Sequence, residues 1–331
     1  MTTKIKSLAK GICCFLAFLH IAAFVVLWVI SGQILSPERQ PIQDYQLEWL
    51  NKASTHGMRI YQAKCDKGHV PCLFVDPDRS SEPGERGKIL RQQLEDHSVS
   101  LKDFGETQGI LMLLHGRNSR KEALLPVAER FTAIGFRCVI PDLPAHGDSS
   151  VKEMSFATTA FEQDITKNVL ADARRFFGDV TSPAMVWGLS MGGAYAIESA
   201  SRSPYTWKAV VIVSSFDSLQ GVIEDRIDAL PRIFKSLICK VLFKIIEIRS
   251  GFEVPLVEPV RWAKKVTAPT LMAHGDADSL ITWKRGKRLF NAIGSKKKLW
   301  VNVTDANHNN ILITPMPLYA AMGEWLINNS R

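Results

Sequence analysis

The residues whose types and spacing could do chemistry begin with a serine held between two glycines. Ser190 is at the centre of Gly-Leu-Ser-Met-Gly, which fits the pattern G-x-S-x-G, and the apolar run Ala184–Trp187 precedes it directly. A helical pattern follows. A sharp turn from strand to helix strains its central residue and accepts only small neighbours, which explains Gly188 and Gly192. The pattern therefore predicts a nucleophilic serine rather than a turn that serves packing alone.

A serine hydroxyl attacks a carbonyl carbon only when a base takes its proton, so a histidine and a carboxylate must accompany it. His308 comes just after the apolar run Leu299–Val303, and Asp278 comes just after Thr270–Ala273. Asp276 lies two residues earlier and competes for the role of the acid. The order serine, acid, histidine is typical of one large fold and differs from the order in chymotrypsin-like and subtilisin-like proteases.

The elements that must position these residues are short apolar runs that alternate with segments of helical period. Such alternation predicts an α/β fold with a mostly parallel sheet and helices on both faces. Two further strands are expected within Met58–Asp76 and short helices at Gln43–Lys52 and Gly87–His97. The predicted strands are Ile110–Leu114, Phe136–Ile140, Ala184–Trp187, Ala209–Val213, Thr270–Ala273 and Leu299–Val303, and the predicted helices are Arg120–Ala133, Thr158–Phe177, Met191–Ser201, Trp283–Ala292 and Pro317–Asn328.

From about residue 58 onward the chain resembles the α/β-hydrolases, in the branch of the monoglyceride-lipase-like and serine-aminopeptidase-like enzymes. Asn307 stands where family members usually have glycine, and Arg117-Asn118-Ser119 stands where many have an aromatic or glycine-rich sequence. These departures leave the substrate subfamily open. The motifs that carry the resemblance, in the family's order, are His115-Gly116, Pro141-Asp142 with His146-Gly147-Asp148-Ser149, the turn at Ser190, His274-Gly275-x-x-Asp278 and Asn307-His308-Asn309-Asn310.

The resemblance implies that Ser190 attacks an acyl carbonyl, that His308 accepts and returns the proton, and that Asp278 orients the imidazole. It also implies an oxyanion hole formed by the backbone N–H groups of Arg117 and Met191. This mechanism needs neither a metal nor a cofactor. Carboxylic esters are the expected substrates, with lipid or acyl-glycerol esters slightly favoured. Amides, peptides and thioesters remain alternatives, and a scaffold without activity is less favoured because serine, acid and histidine are all present.

Several other polar residues have a structural interpretation. His115, His146 and His274 each precede a glycine and are expected to hold turns. The Arg117 side chain has a second interpretation as a contact for an anionic substrate. Cys65 and Cys72 are the pair that could form a disulfide, in a compartment that would allow it.

The segment Gly11–Ile30 contains no Asp, Glu, Lys or Arg. Its twenty residues span roughly 30 Å as a helix, the thickness of one hydrocarbon core. This is longer than the apolar part of a cleavable signal peptide, so an uncleaved anchor is favoured over a signal sequence. Lys4, Lys6 and Lys10 precede the segment and Arg39 is the first basic residue after it, so the N-terminus is predicted to be cytoplasmic and the catalytic domain extracytoplasmic.

The chain is expected to divide into a leader and transmembrane anchor at 1–30, a juxtamembrane connector at 31–57 and a hydrolase domain at 58–331. With 46% hydrophobic and 22% charged residues, composition excludes global disorder. The net charge of +8 includes three lysines of the leader and is otherwise scattered, which excludes a nucleic-acid partner. The expected partners are an ester substrate and the membrane.

The helix–strand alternation stops between Ser214 and Thr267, which predicts a helical cap inserted at about 215–267. Within it, residues 232–249 form a basic amphipathic helix when spaced at 100° per residue, with Lys240 and Lys244 on the polar face. Its apolar face either covers the active-site cleft alone or also lies at the membrane interface. That face is predicted to contain Ile233, Phe234, Leu237, Ile238, Val241, Leu242, Ile245 and Ile246.

Overall fold

The computed structural model describes residues 2–78, 84–313 and 316–330, with side chains from residue 10 onward. Within these residues one sheet contains β1 (Met58–Cys65), β2 (Val70–Pro77), β3 (Gly109–Leu114), β4 (Phe136–Pro141), β5 (Ala184–Leu189), β6 (Trp207–Val213), β7 (Thr270–Gly275) and β8 (Lys298–Val303). The strand order is β1-β2-β4-β3-β5-β6-β7-β8. β2 is antiparallel to both neighbours and the remaining pairs are parallel, which confirms the predicted mostly parallel sheet.

The described helices cover the predicted helical segments. They are α1 (Thr2–Leu35), α2 (Asp44–Asn51), α3 (Glu85–Asp96), α4 (Leu125–Ile134), α5 (Ala160–Phe177), α6 (Met191–Arg202), α7 (Leu219–Arg226), α8 (Arg232–Ser250), α9 (Pro259–Ala263), α10 (Trp283–Ala292) and α11 (Met316–Asn328). The predicted helix from Arg120 instead starts with a 3₁₀ turn at Lys121–Leu124, and α4 follows with Pro126 in its first turn. A proline is tolerated there because the N–H that it lacks would have no acceptor inside the helix.

The sheet separates two hydrophobic cores. Ile110, Met112 and Leu114 of β3 lie in one core, and Leu111 and Leu113 lie in the other. Alternate residues of a strand point to opposite faces, so a continuous apolar run supplies both cores at once. Helices α5 and α6 pack on the first face, and α4 and α11 pack on the second. This arrangement explains why β3 and β5, at the centre of the sheet, contain no charged residues.

Helix α1 extends past the predicted end of the apolar segment at Ile30 and ends at Leu35. Its part Lys10–Leu35 is long and apolar enough to cross a membrane, with a mean hydropathy of 2.7. A signal sequence would meet the same criteria. Ser31 and Leu35, which the sequence assigns to the connector, are fully buried against the domain. The end of α1 is therefore packed on the domain as well as joined to it.

Candidate active site

Ser190 lies in a tight turn between β5 and α6. Its backbone has φ 53° and ψ −115°, a positive φ that a serine adopts only where its surroundings impose it. A Cβ added to Gly192 would be 2.1 Å from the carbonyl oxygen of Leu114 in β3. A Cβ added to Gly188 would be 2.3 Å from the carbonyl oxygen of Gly192. Backbone contacts therefore require both glycines, as the motif predicts.

Three side chains from distant parts of the sequence form a continuous series of hydrogen bonds. The Ser190 Oγ is 3.1 Å from Nε2 of His308, and Nδ1 of His308 is 2.8 Å from Oδ2 of Asp278. The residues follow β5, β8 and β7, which are parallel strands whose carboxyl ends meet at the same edge of the sheet. Such an edge is where open α/β sheets bind ligands. The arrangement can move a proton from a hydroxyl to a neutral imidazole.

The Asp278 carboxylate is buried and has all of its oxygens engaged. Its Oδ1 accepts hydrogen bonds from the backbone N–H groups of Leu280 at 3.0 Å and Ile281 at 2.9 Å. Burial favours the neutral acid, but the hydrogen bond and charge of His308 and the N–H of Ile281 outweigh it and hold the pKa of Asp278 below its usual range. Asp278 is therefore an anion at neutral pH and is oriented toward the imidazole.

Asp276, the competing carboxylate, contacts a different part of the loop. Its Oδ2 accepts a hydrogen bond from the side-chain amide of Asn302 at 3.0 Å, and its Oδ1 accepts one from the N–H of Asp305 at 2.8 Å. These bonds join the loop after β7 to Asn302 of β8 and to the loop that follows β8. The structure thus brings Asp278, and not Asp276, to His308.

The two backbone N–H groups expected to bind an oxyanion belong to Arg117 and Met191. Met191 is the first residue of α6, where an N–H has no acceptor within the helix. Arg117 comes shortly after β3 and lies beside the turn that contains Ser190. A Cβ added to the preceding residue, Gly116, would be 3.6 Å from the Cβ of Ser190. Within the described part of the chain, neither N–H has a hydrogen-bond acceptor. Both are therefore free to donate to an oxygen that develops charge.

His115 and His146 hold the loops next to Arg117, in agreement with their interpretation as turn residues. Nε2 of His115 accepts a hydrogen bond from the N–H of Leu143 at 3.0 Å, and Nε2 of His146 accepts one from the N–H of Asn118 at 3.1 Å. Burial lowers the pKa of His115 to about 4 and that of His146 to about 3. Both rings are therefore neutral acceptors at physiological pH.

A buried ion cluster that sequence reasoning missed joins the same two loops. The Lys121 ammonium is 2.8 Å from Oδ2 of Asp142, which also accepts the N–H of Asp148 at 2.8 Å. Burial works against the charge on Lys121, but Asp142 and Asp148 outweigh it and raise the pKa of the ammonium. Gly147, with φ 48°, has no room for a side chain because a Cβ would be 2.1 Å from Asp142. No local pattern signals the contacts of Lys121, since it lies 21 residues from Asp142 and 27 residues from Asp148.

Cys65 and Cys72 are both buried free thiols in the structure. They lie on neighbouring strands, opposite Val70 and Ala63 respectively. Burial, together with the neighbouring Cys65, raises the pKa of the Cys72 thiol well above its usual range.

A polar cavity of about 810 Å³ borders the loop that contains Asp278. Its walls include Arg285, which pairs with Asp217 and Asp225. Ser190 is not part of the wall, so this cavity does not define a pocket for an acyl group. Within the described residues, no group of three or more His, Cys, Asp and Glu side chains is arranged to hold a metal ion.

Comparison with known proteins covers part of this site. Residues 105–247 match the family model of the serine aminopeptidases S33, a segment that contains Ser190 but not Asp278 or His308. Human protein phosphatase methylesterase 1 is 25% identical over 177 residues, which cover 50% of this chain and 45% of that protein. The rat protein of the same name matches over the same extent. The match therefore spans about half the length of these curated relatives.

Solved structures share the fold over most of the chain. An esterase from Pyrococcus furiosus superimposes with a TM-score of 0.62 at 16% identity, covering 90% of this chain and 100% of that one. A bacterial membrane phospholipase A superimposes with a TM-score of 0.54 at 16% identity, covering 97% of this chain and 99% of that one. At this identity the likeness shows the fold alone. The fold is that of the α/β-hydrolases, and the matched segment together with the order of the motifs supports the monoglyceride-lipase-like and serine-aminopeptidase-like branch of that superfamily.

Proposed function

We propose that the protein is a membrane-anchored serine hydrolase that cleaves carboxylic esters through an acyl-enzyme intermediate. The observation that carries the proposal is the series of hydrogen bonds from Ser190 through His308 to Asp278. The names of the similar proteins, an esterase, a phospholipase and a methylesterase, agree with ester chemistry.

The proposed reaction has two steps. His308 takes the proton of the Ser190 hydroxyl as its oxygen bonds to the ester carbonyl carbon, and the N–H groups of Arg117 and Met191 bind the oxyanion. His308 then gives this proton to the leaving alcohol as the C–O bond breaks. In the second step His308 takes a proton from water as the water oxygen bonds to the acyl carbon, and it returns this proton to the Ser190 oxygen as the bond from that oxygen to the acyl carbon breaks and the acid leaves. Each oxyanion donor stabilises the transition state by roughly 3 to 4 kcal/mol, and Asp278 stabilises the imidazolium in both steps.

The test is labelling of the full-length protein with a fluorophosphonate, followed by a series of esters of increasing acyl length. Ser190→Ala is expected to abolish labelling and to lower turnover by as much as roughly 10⁶-fold. Ser201→Ala is the matched control, because Ser201 is on the same helix and, among the described residues, its hydroxyl bonds only the carbonyl oxygen of Glu198. Labelling of the Ser190→Ala protein at the wild-type rate would exclude the mechanism.

A peptidase or amidase is the second candidate, because the matching family model is named for serine aminopeptidases. An aminoacyl arylamide should be assayed beside the esters, with a thioester as the third substrate. A higher kcat/KM for the arylamide than for every ester would assign the protein to the second class.

Two observations favour lipid esters over soluble ones, and the first is the cap helix α8. Its apolar residues do not form one face as the sequence predicts, but are divided between two. Cys239, Leu242, Ile245 and Ile246 are buried against the domain. The exposed apolar face contains Ile233, Phe234, Leu237, Val241 and Ile248, of which Ile233 is 76% exposed. Because large exposed apolar surfaces mark sites of interaction, a second exposed apolar face is not expected in a cap that only covers the cleft.

The second observation is the position of α8 beside α1. The Arg249 guanidinium lies 4.6 Å from the Trp28 ring and donates to the Trp28 carbonyl at 2.8 Å and to the Ser31 hydroxyl at 3.1 Å. From Lys10 to Trp28, α1 is about 28 Å long, close to the thickness of a hydrocarbon core. In a membrane crossed by α1, α8 therefore lies at the surface, where its exposed apolar face enters the acyl boundary and Lys240 and Lys244 meet head groups.

This placement is tested with the full-length protein in vesicles that contain an ester lipid. Phe234→Ser with Leu237→Ser is expected to slow hydrolysis of the bilayer lipid and leave hydrolysis of a short soluble ester nearly unchanged. Val180→Ser is the matched control, since Val180 is 68% exposed and precedes β5 at the opposite end of the strand from Ser190. If the wild type, the double variant and Val180→Ser hydrolyse the bilayer lipid at equal rates, the cap serves only to cover the cleft.

A further inference from the structure

The segment just after the apolar helix is clamped to a loop more than one hundred residues away. The Arg39 guanidinium donates from Nη1 to the carbonyl oxygens of Gly147 at 3.0 Å and Ser149 at 2.6 Å. Its Nη2 donates to the carbonyl oxygen of Val151 at 2.9 Å. One side chain thus binds the carbonyl oxygens of three alternate residues in the loop that follows β4. Of the basic residues, arginine alone has donors spread widely enough to do so from two nitrogens.

Backbone contacts strengthen this connection on both sides of Arg39. The carbonyl oxygen of Leu35, a fully buried residue, accepts the N–H of Met154 at 2.8 Å. The carbonyl oxygen of Gln40 accepts a hydrogen bond from the Arg120 guanidinium at 3.2 Å. Leu35, Arg39 and Gln40 thus each contact a segment that follows β3 or β4. We call residues 33–40 the juxtamembrane strip.

The clamped loop reaches the proposed oxyanion donor through one histidine. His146 immediately precedes Gly147, and its Nε2 accepts the N–H of Asn118 at 3.1 Å. Asn118 has a positive φ of 57° and follows Arg117 directly, so the direction of the Arg117 N–H depends on how this turn is held. The Arg117 side chain itself donates to the carbonyl oxygen of Gln33 at the end of α1. The juxtamembrane strip thus contacts the oxyanion turn both directly and through the clamped loop.

We propose that the juxtamembrane strip positions the oxyanion turn and that Arg39 is its positioning residue. The proposal rests on the proposed serine-hydrolase function. It makes the end of the anchor a part of the catalytic arrangement rather than a tether. Without Arg39 the three carbonyls turn to water, the loop relaxes, and the Arg117 N–H loses its alignment with the developing oxyanion. Misplacement by about 1 Å can cost about 100-fold in rate.

The experiment compares the full-length wild type, Arg39→Ala and Arg261→Ala in detergent micelles. Arg261 is the matched control because its side chain is 73% exposed and, within the part of the chain that the structure describes, pairs only with Glu258. With a short soluble ester, Arg39→Ala is expected to lower kcat at least tenfold while KM changes less than twofold. The affinity for a trifluoromethyl ketone, which forms an oxyanion on the enzyme, should fall by the same factor as kcat/KM. Arg261→Ala should match the wild type in all three quantities.

A second variant keeps the test informative if Arg39→Ala lowers the melting temperature. Arg39→Gln retains one donor group at this position and is expected to restore part of kcat at a wild-type melting temperature. Unchanged kcat and unchanged ketone affinity in both variants would overturn the proposal. A fall in kcat accompanied by an equal rise in KM would also overturn it, because a defect that is only structural affects catalysis and substrate binding alike. A wild-type protein that fluorophosphonate does not label would instead overturn the proposed function, so the two failures are distinguishable.

Discussion

Two carboxylates lie two residues apart in the loop after β7, and their contacts distinguish them. Asp278 is buried and bonds His308, whereas Asp276 is exposed and bonds the loop after β8. Because His308 and the Ile281 N–H outweigh burial and keep the pKa of Asp278 low, its charge is present throughout the neutral range. A permanent anion at this position holds the imidazole in one tautomer and stabilises its protonated form.

We predict that Asp278→Asn lowers kcat by roughly 10³- to 10⁴-fold, whereas Asp276→Asn lowers it by only a few-fold. The amide can hold the position of the carboxylate but not its charge, so the imidazolium loses its stabilisation. The measurement is steady-state hydrolysis of a short soluble ester by both variants. Losses of equal size, or a larger loss for Asp276→Asn, would move the role of the acid to Asp276.

At the scale of elements, α6 combines the turn at Ser190 before its start with a buried carboxyl near its end. Glu198 is only 3% exposed, and the Arg202 guanidinium is 3.7 Å from its Oε1. Burial raises the pKa of Glu198 to about 8, although the charge of Arg202 opposes the shift. The folded protein therefore binds a proton at pH 7 that the unfolded chain has released. The proton on Glu198 stabilises the folded state. This stabilisation is complete below the unfolded pKa near 4.5 and declines as pH rises to about 8.

We predict that Glu198→Gln raises the free energy of unfolding at pH 8 relative to the wild type, by on the order of 3 kcal/mol. The neutral amide replaces a carboxyl that is destabilised when it ionises in the interior. At pH 4.5 the two proteins should differ little, because the wild-type carboxyl is then protonated. Chemical denaturation in detergent at both pH values measures the difference, with the exposed Glu95→Gln as the control. A difference independent of pH would contradict this assignment.

The cap shows how an element acquires its role from its surroundings. The periodicity of residues 232–249 predicts a helix, and α8 forms over Arg232–Ser250. The number of apolar residues is too large for one face, and the packing against the domain buries only part of them. Which part remains exposed depends on how α8 crosses the end of α1, where Arg249 contacts Trp28.

At the scale of the whole molecule, α1 and the domain form one packed unit because Ser31 and Leu35 are buried. The three lysines before the apolar segment favour a cytoplasmic N-terminus. We predict that protease added outside intact cells, or outside spheroplasts when the source has an outer membrane, digests the domain, while a tag at residue 1 remains protected. Immunoblots against the tag and the domain measure both fates. Protection of the whole domain would reverse the proposed orientation.

The sequence by itself determined the features that depend on local pattern. The alternation of apolar strands and helices predicts the mostly parallel sheet because burial on both faces requires continuous apolar runs. The glycines around Ser190 predict the turn because a sharp strand-to-helix turn accepts only small neighbours. The clash at Gly188 is with the backbone of Gly192, four residues away, whereas the clash at Gly192 is with the distant Leu114 and is seen only in the tertiary structure. The apolar segment predicts α1 because twenty uncharged residues satisfy length and hydropathy without tertiary contacts.

Only the tertiary structure decided which distant groups meet. Asp278 and Asp276 have the same chemistry and nearly the same position in the sequence, and the packing of the loop after β8 brings His308 to the first alone. The clamp of Arg39 on the loop at 147–151 has no sequence signal, since any exposed arginine resembles it. Hydrogen bonds between residues a hundred positions apart form because the sheet brings strand ends and loops to one edge, and periodicity carries no information about that distance.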